Sequence, residues 1–149
     1  MGEKKDIWAD VKLRFKEGRP PTVDCGPGWK ELVTQLCQAL DKAWNHYDEL
    51  ITGRECWRLL QVKEKMGALV VHAEVTMKQG STKVPAIIKN YENRTKIWNA
   101  MISKAHERSL EVCEECGEAG CRRFLIGAFK TLCDRCFINW EEARTSATT

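Results

Sequence analysis

The sequence predicts an α+β fold: two helices flanking a β-hairpin, followed by a four-cysteine zinc knuckle and a short C-terminal helix. Three observations carry this expectation. Two stretches repeat apolar residues at three- and four-residue steps, the period of a helix with one buried face. Between them lies a run rich in β-branched residues, divided by a turn that contains glycine. After them come two C-x-x-C pairs separated by sixteen residues. The 149 residues suit one domain, and 43% hydrophobic with 30% charged residues is ordinary for a globular chain. No window approaches 18 consecutive apolar residues, and MGEKKDIWAD has no apolar stretch behind its charges. Secreted, membrane and fibrous classes are thereby excluded, and a cytoplasmic protein is expected.

Residues 1–24 form an N-terminal arm. Ile7, Trp8, Val11, Leu13 and Phe15 suit either a short helix or an extended segment, and Pro20-Pro21 ends either one. Residues 25–112 form the helix–hairpin–helix core. Cys25-Gly26-Pro27-Gly28 is a turn. A helix follows from Trp29 to Tyr47, with Leu32, Val33, Leu36, Leu40, Ala43 and Trp44 on its apolar face and Trp29 and Trp44 as anchors. Cys56 to Val62 is the first strand, Glu64 to Gly67 the turn and Ala68 to Val75 the second strand. A second helix runs from Pro85 to Leu110, with Ile87, Tyr91, Trp98, Met101, Ile102 and Ala105 as its buried stripe. Residues 113–144 are the knuckle. Phe124, Leu125, Ile126, Phe129 and Leu132 give it an apolar side that packs on the core, and Phe137 and Trp140 lead into the final helix. Residues 145–149 form a disordered tail.

Cysteine supplies the clearest chemistry. There are eight, and five fall between 113 and 136. Cys113, Cys116, Cys133 and Cys136 match the C-x2-C-x15–20-C-x2-C spacing of a structural zinc site. Each pair turns two thiolates toward one ion, and four sulfurs close a tetrahedron with no position left for water. One structural Zn²⁺ is therefore expected. Gly117 follows the second ligand, where the turn around a metal favours positive φ. Cys121 reads as a spare thiol, and the pattern assigns no role to Cys25, Cys37 or Cys56. The formal charge of +3 counts all thiols as neutral, so a loaded four-thiolate centre would bring the chain near +1. Bulk charge would not drive strong nucleic-acid binding.

Charge is concentrated in one place. From Lys78 to Arg108 seven Lys/Arg stand against two Glu. Lys89, Lys96, Lys104 and Arg108 lie opposite the apolar stripe of the second helix. With Arg122 and Arg123 of the knuckle they are the candidate surface for a protein partner or for nucleic acid. No catalytic grouping accompanies them. His46, His72 and His106 are isolated, and the phosphate-loop, dinucleotide and H-E-x-x-H patterns are missing. His72-Ala73-Glu74 matches half of the zinc-deaminase signature, but Leu132 stands where that signature needs proline before Cys133. No enzyme activity and no small-molecule substrate are expected.

Several segments in order carry a resemblance. They are Cys25-Gly26-Pro27-Gly28-Trp29, Gln61-Val62-Lys63-Glu64-Lys65-Met66-Gly67, Glu107-Arg108-Ser109, Cys113-Glu114-Glu115-Cys116-Gly117 and Thr131-Leu132-Cys133-Asp134-Arg135-Cys136. Together they resemble a family of small uncharacterised proteins encoded by phages and prophages, over residues 25–140. Met66, Ala68 and Cys121 depart from its usual residues. The zinc segment alone is similar to the finger of DksA/TraR-type transcription regulators, but the hairpin between the helices breaks the coiled coil on which those regulators depend. The family resemblance implies a host bacterial cytosol and a protein that modulates a host complex of defence or transcription machinery.

Overall fold

The computed structural model describes residues 5–13, 20–45, 57–75 and 84–147, with the side chains of 44–45, 75 and 84–94 outside that description. Its architecture is α+β. In order come α1 (Ala9–Leu13), β1 (Thr22–Asp24), a 3-10 turn (Pro27–Trp29), α2 (Lys30–Asn45), β2 (Trp57–Lys65), β3 (Ala68–Val75), α3 (Val84–Ser109), β4 (Cys121–Leu125), β5 (Ala128–Leu132) and α4 (Asp134–Ala147). β1, β2 and β3 form one sheet in that order, and β4 with β5 forms a second. No helix among the described residues is long and apolar enough to cross a membrane.

The main core lies between the helices and the first sheet. Leu32, Val33, Leu36, Cys37 and Leu40 of α2 meet Trp57, Leu59, Val62 and Leu69 of the sheet and Trp98 and Ala105 of α3. Trp57 and Trp98 meet edge to face with ring centroids 5.6 Å apart, a favoured aromatic geometry. The Trp57 indole also donates to Asp41 Oδ1 at 2.8 Å, so a polar atom at the edge of the core has a partner. Trp8 and Val11 of the N-terminal segment belong to this core, and β1 pairs in parallel with β2 through Thr22–Gln61, Val23–Val62 and Asp24–Lys63. A three-residue strand held only by long-range pairing leaves no periodic trace, so the sequence did not announce it.

The β2–β3 hairpin is longer and its turn tighter than expected. Glu64 and Lys65 stay paired, with Leu69 and Ala68, and only Met66 and Gly67 make the turn. Both have positive φ, 54° and 82°, as a two-residue hairpin turn matching the strand twist requires. Glu64 secures it by accepting from the Gly67 N–H at 2.7 Å. The pairing slips between Leu59 and Gln61. This bulge leaves Leu60 on the outer face and lets Trp57, Leu59 and Val62 all point inward. Cys56, His46 and Tyr47 lie outside the described residues.

Two further differences concern the C-terminal third. The knuckle contains the β4–β5 hairpin, closed by Gly127 at φ 84°, and the apolar residues expected to pack on the core do not. Phe124 and Ile126 are exposed at the hairpin tip, while Leu125 and Leu132 turn to a small cluster with Cys113, because strand alternation sends neighbouring residues to opposite faces. Thr145, Ser146 and Ala147, expected in a disordered tail, continue α4. Thr145 and Ser146 hydroxyls donate to the Glu141 and Glu142 carbonyls at 3.0 Å, which satisfies these side chains inside the helix.

The end of α3 caps the edge of β3 at one residue. The Leu69 N–H donates to Ser109 Oγ at 2.9 Å, and His106 Nδ1 lies 2.8 Å from the Leu69 carbonyl. Ser109 in turn donates to the His106 carbonyl at 2.6 Å. Ser109→Ala would leave a buried N–H unpaired. The expected loss is about 2 kcal/mol, read as a lower urea midpoint at unchanged slope.

Candidate metal centre

Two turns bring four sulfurs together. The first follows α3. Cys113 N–H donates to the Glu118 carbonyl at 2.7 Å, and Gly117 N–H returns to the Cys113 carbonyl at 2.9 Å. Gly117 at φ 80° turns the chain back, as its place after the second ligand predicted. The second pair starts where β5 ends and α4 begins. Cys133 precedes the first residue of α4, its carbonyl accepts from Phe137 N–H at 2.9 Å, and its sulfur accepts from Cys136 N–H at 3.4 Å. A bond from Glu114 N–H to the Thr131 carbonyl, 2.9 Å, ties the turns together.

The thiol sulfurs of Cys113, Cys116, Cys133 and Cys136 all lie within 4.8 Å of one another, and none is in a disulfide. Cys116 Sγ and Cys133 Sγ are 3.7 Å apart. A regular tetrahedron with metal–sulfur bonds of about 2.3 Å has edges of about 3.8 Å, so the cluster fits one metal ion. Its four donors leave no open coordination position. The Cys136 N–H holds the Cys133 thiol down to about 7, whereas burial pushes Cys136 up to about 12. Both must be deprotonated to bind metal, so acid competes with the ion.

The metal segment has little core of its own. Cys113, Leu125 and Leu132 are its buried apolar residues, with Phe137 and Trp140 packed against them. It is held instead by the turn before α2. Gly28 N–H donates to the Glu114 carbonyl at 2.6 Å, Gly26 N–H to Glu114 Oε1 at 3.1 Å, and the Trp29 indole to the Val112 carbonyl at 2.9 Å. A Cβ on Gly28 would sit 2.1 Å from the Cys113 carbonyl oxygen and 2.5 Å from Gly117 N. The β2–β3 turn docks from another side, where Thr131 Oγ1 donates to the Gly67 carbonyl at 2.6 Å. Glu114 is buried and pairs with Lys130 at 3.2 Å. Burial pushes its carboxyl up and Lys130 works against that shift. Nothing in C-E-E-C separates Glu114 from Glu115, so its role was not legible.

The basic residues separate into two groups. Lys96, Lys104 and Arg108 are exposed on α3, while the Lys89 side chain lies outside the described residues. Arg122 sits 4.3 Å over the Phe129 ring. Arg123 is committed internally: it donates from Nε to the Leu132 carbonyl at 3.0 Å, pairs with Asp134 and stacks 4.6 Å over Phe137. Cys121 is exposed at the start of β4 and outside the four-sulfur group. Cys37 is in the core, and burial holds the Cys25 thiol up at about 12. No family model matches the chain, and no curated protein or solved structure matches it.

Gly28→Ala should drive a methyl group into backbone on both sides and cost about 3 kcal/mol or more. Gly127→Ala also meets positive φ, but nothing lies within 4 Å of its added carbon, so about 1 kcal/mol is expected. Urea unfolding of the two variants with metal bound measures the contrast.

Proposed function

We propose that this chain is a non-catalytic interaction protein whose C-terminal third is stabilised by one zinc ion, and that it is phage-encoded and modulates a host defence or transcription complex. The closed four-thiolate centre carries this reading. A tetrahedral all-sulfur site suits Zn²⁺. With no coordination position for water, such a centre has a structural role. The clamp from Gly26, Gly28 and Trp29 extends that role, because what the metal orders is joined directly to the start of α2. The phage setting rests on the ordered sequence segments. Two of these, Cys25 to Trp29 and Cys113 to Gly117, meet at the clamp, and Gln61 to Gly67 meets Thr131 to Cys136 through the Gly67 carbonyl.

Purified protein should contain one zinc per chain by elemental analysis. Cobalt replacement should give the visible bands of a tetrahedral thiolate site. Chelation should lower the Tm and lose the near-ultraviolet tryptophan signal, since metal binding free energy is folding free energy in such segments. Chelation that leaves the melting curve unchanged would sink the structural role. Affinity capture from bacterial lysate, with and without nuclease, then tests the interaction. A discrete protein complex that survives nuclease is the expected result.

A second reading takes nucleic acid as the partner. One observation favours it: Lys96, Lys104 and Arg108 are exposed on a single helix and form no ion pair among the described residues. Duplex binding through them should weaken with salt at a log–log slope of about −0.9 per phosphate neutralised. Lys96→Glu with Lys104→Glu should abolish it. Binding that is indifferent to salt and to both substitutions removes this reading.

A further inference from the structure

The four sulfurs of the cluster are unequally covered. Cys113 is fully buried, Cys133 and Cys136 are half-buried, and Cys116 is exposed. Cys116 also borders a cleft of about 590 Å³ between the start of α2 and the end of α3. Asp10 and Glu31 line this cleft together with Lys30 and Arg108, and Asp10 pairs with Lys30 at 2.7 Å. Charges in such balance select no ion, but the opening admits a small neutral molecule to one sulfur of the four. Cys133 Sγ lies 3.7 Å from that sulfur. A disulfide needs about 2.05 Å, so two side chains have to close a gap of about 1.7 Å.

Bonds besides those to a shared ion join the two cysteine turns. Glu114 N–H reaches the Thr131 carbonyl at 2.9 Å, and Gly28 N–H reaches the Glu114 carbonyl at 2.6 Å. Thr131 Oγ1 donates to the Gly67 carbonyl at 2.6 Å. The backbone beside Cys116 and Cys133 is thus fixed both across the turns and to the main core. A Cys116–Cys133 link spans 17 positions and joins the turns. A link inside either C-x-x-C pair leaves them separate. The wider link also removes more freedom from the unfolded chain.

We propose that the four-cysteine centre is a reversible redox switch: hydrogen peroxide oxidises Cys116, Cys133 closes a disulfide with it, and the ion is released while the turns stay joined. This rests on the metal-centre reading and adds a regulation to it. The Cys116 thiolate attacks one peroxide oxygen. An S–O bond forms, the O–O bond breaks and hydroxide leaves. The Cys133 thiolate then attacks the sulfenic sulfur of Cys116. The S–S bond forms and a second hydroxide leaves. Two thiolates have given up two electrons, and one peroxide has taken them. Cys113 and Cys136 remain, two donors where Zn²⁺ takes four. A dithiol reductant breaks the link and restores the set.

The test adds hydrogen peroxide to the zinc-loaded full chain. A chromogenic chelator reads released zinc, and mass spectrometry after alkylation maps the disulfides. One zinc should appear per Cys116–Cys133 link, and dithiothreitol with added zinc should restore one zinc per chain. Brief iodoacetamide labelling before oxidation should modify Cys116 about tenfold faster than Cys113, Cys133 or Cys136, as exposure dictates. Cys121→Ser removes the exposed thiol outside the cluster and should leave release and mapping unchanged. The oxidised chain should melt above reduced chain stripped by a chelator, because the disulfide holds the turns that the ion held. A link inside either C-x-x-C pair or to Cys121 would overturn the inference. So would zinc kept through oxidation, release lost in Cys121→Ser, or a Tm no higher than that of the stripped chain. Purified chain without zinc refutes the metal reading itself. Zinc-loaded chain that fails these tests leaves that reading standing and refutes the switch alone.

Discussion

The structure depends on how closely two backbones approach. Gly28 lies so near the Cys113 carbonyl and the Gly117 amide that no side chain fits between them. That contact lets Gly28 N–H reach the Glu114 carbonyl at 2.6 Å and places the Trp29 indole under Val112. A segment with three buried apolar residues cannot offset its own conformational entropy. The two cysteine turns close it locally around four sulfurs that could hold a metal ion, and the glycine contact gives it a large core to lean on. The four-cysteine cluster and the main core are thus joined by direct backbone contact.

The same economy of contacts appears at the other turn. Met66-Gly67 closes the first hairpin and offers its carbonyl to buried Thr131. Ser109 and His106 occupy both polar groups of Leu69. The end of α3 therefore seals one sheet edge immediately before the chain enters the first metal-binding turn. Sheet, helix and knuckle meet within a few residues of one another, and most polar groups there are satisfied by partners distant in sequence.

What was legible in the sequence followed from local chemistry. The spacing of the two C-x-x-C pairs named its four residues because each pair obeys a short-range rule. The start and end of α3 and the bulk of α2 followed from periodicity. The β2–β3 hairpin was visible, but its turn was set too wide, since Glu64 and Lys65 are polar yet remain paired. β1 and the inward placement of Trp8 and Val11 depend on packing alone. So does the bulge at Leu60, which changes the phase of a strand without changing its composition. Arg123 was counted with the partner surface although its guanidinium is held by Leu132, Asp134 and Phe137. Cys25 to Trp29 was read as a turn, and its docking on the metal segment was not legible, because the clash that demands glycine there involves residues almost ninety positions away.

That separation has a consequence in time. Gly26 and Glu114 are 88 residues apart, and the last sulfur lies further on at Cys136. At a synthesis rate of 5–20 residues per second, roughly 4–18 s pass between the appearance of the first partner and the second. During that interval α2 and the first hairpin are made while the Val112 carbonyl that accepts from the Trp29 indole is still to come. The contacts of Gly26, Gly28 and Trp29 with Glu114 and Val112 can form only after that stretch has left the ribosome. Until then each new chain presents an unfinished surface to chaperones and proteases.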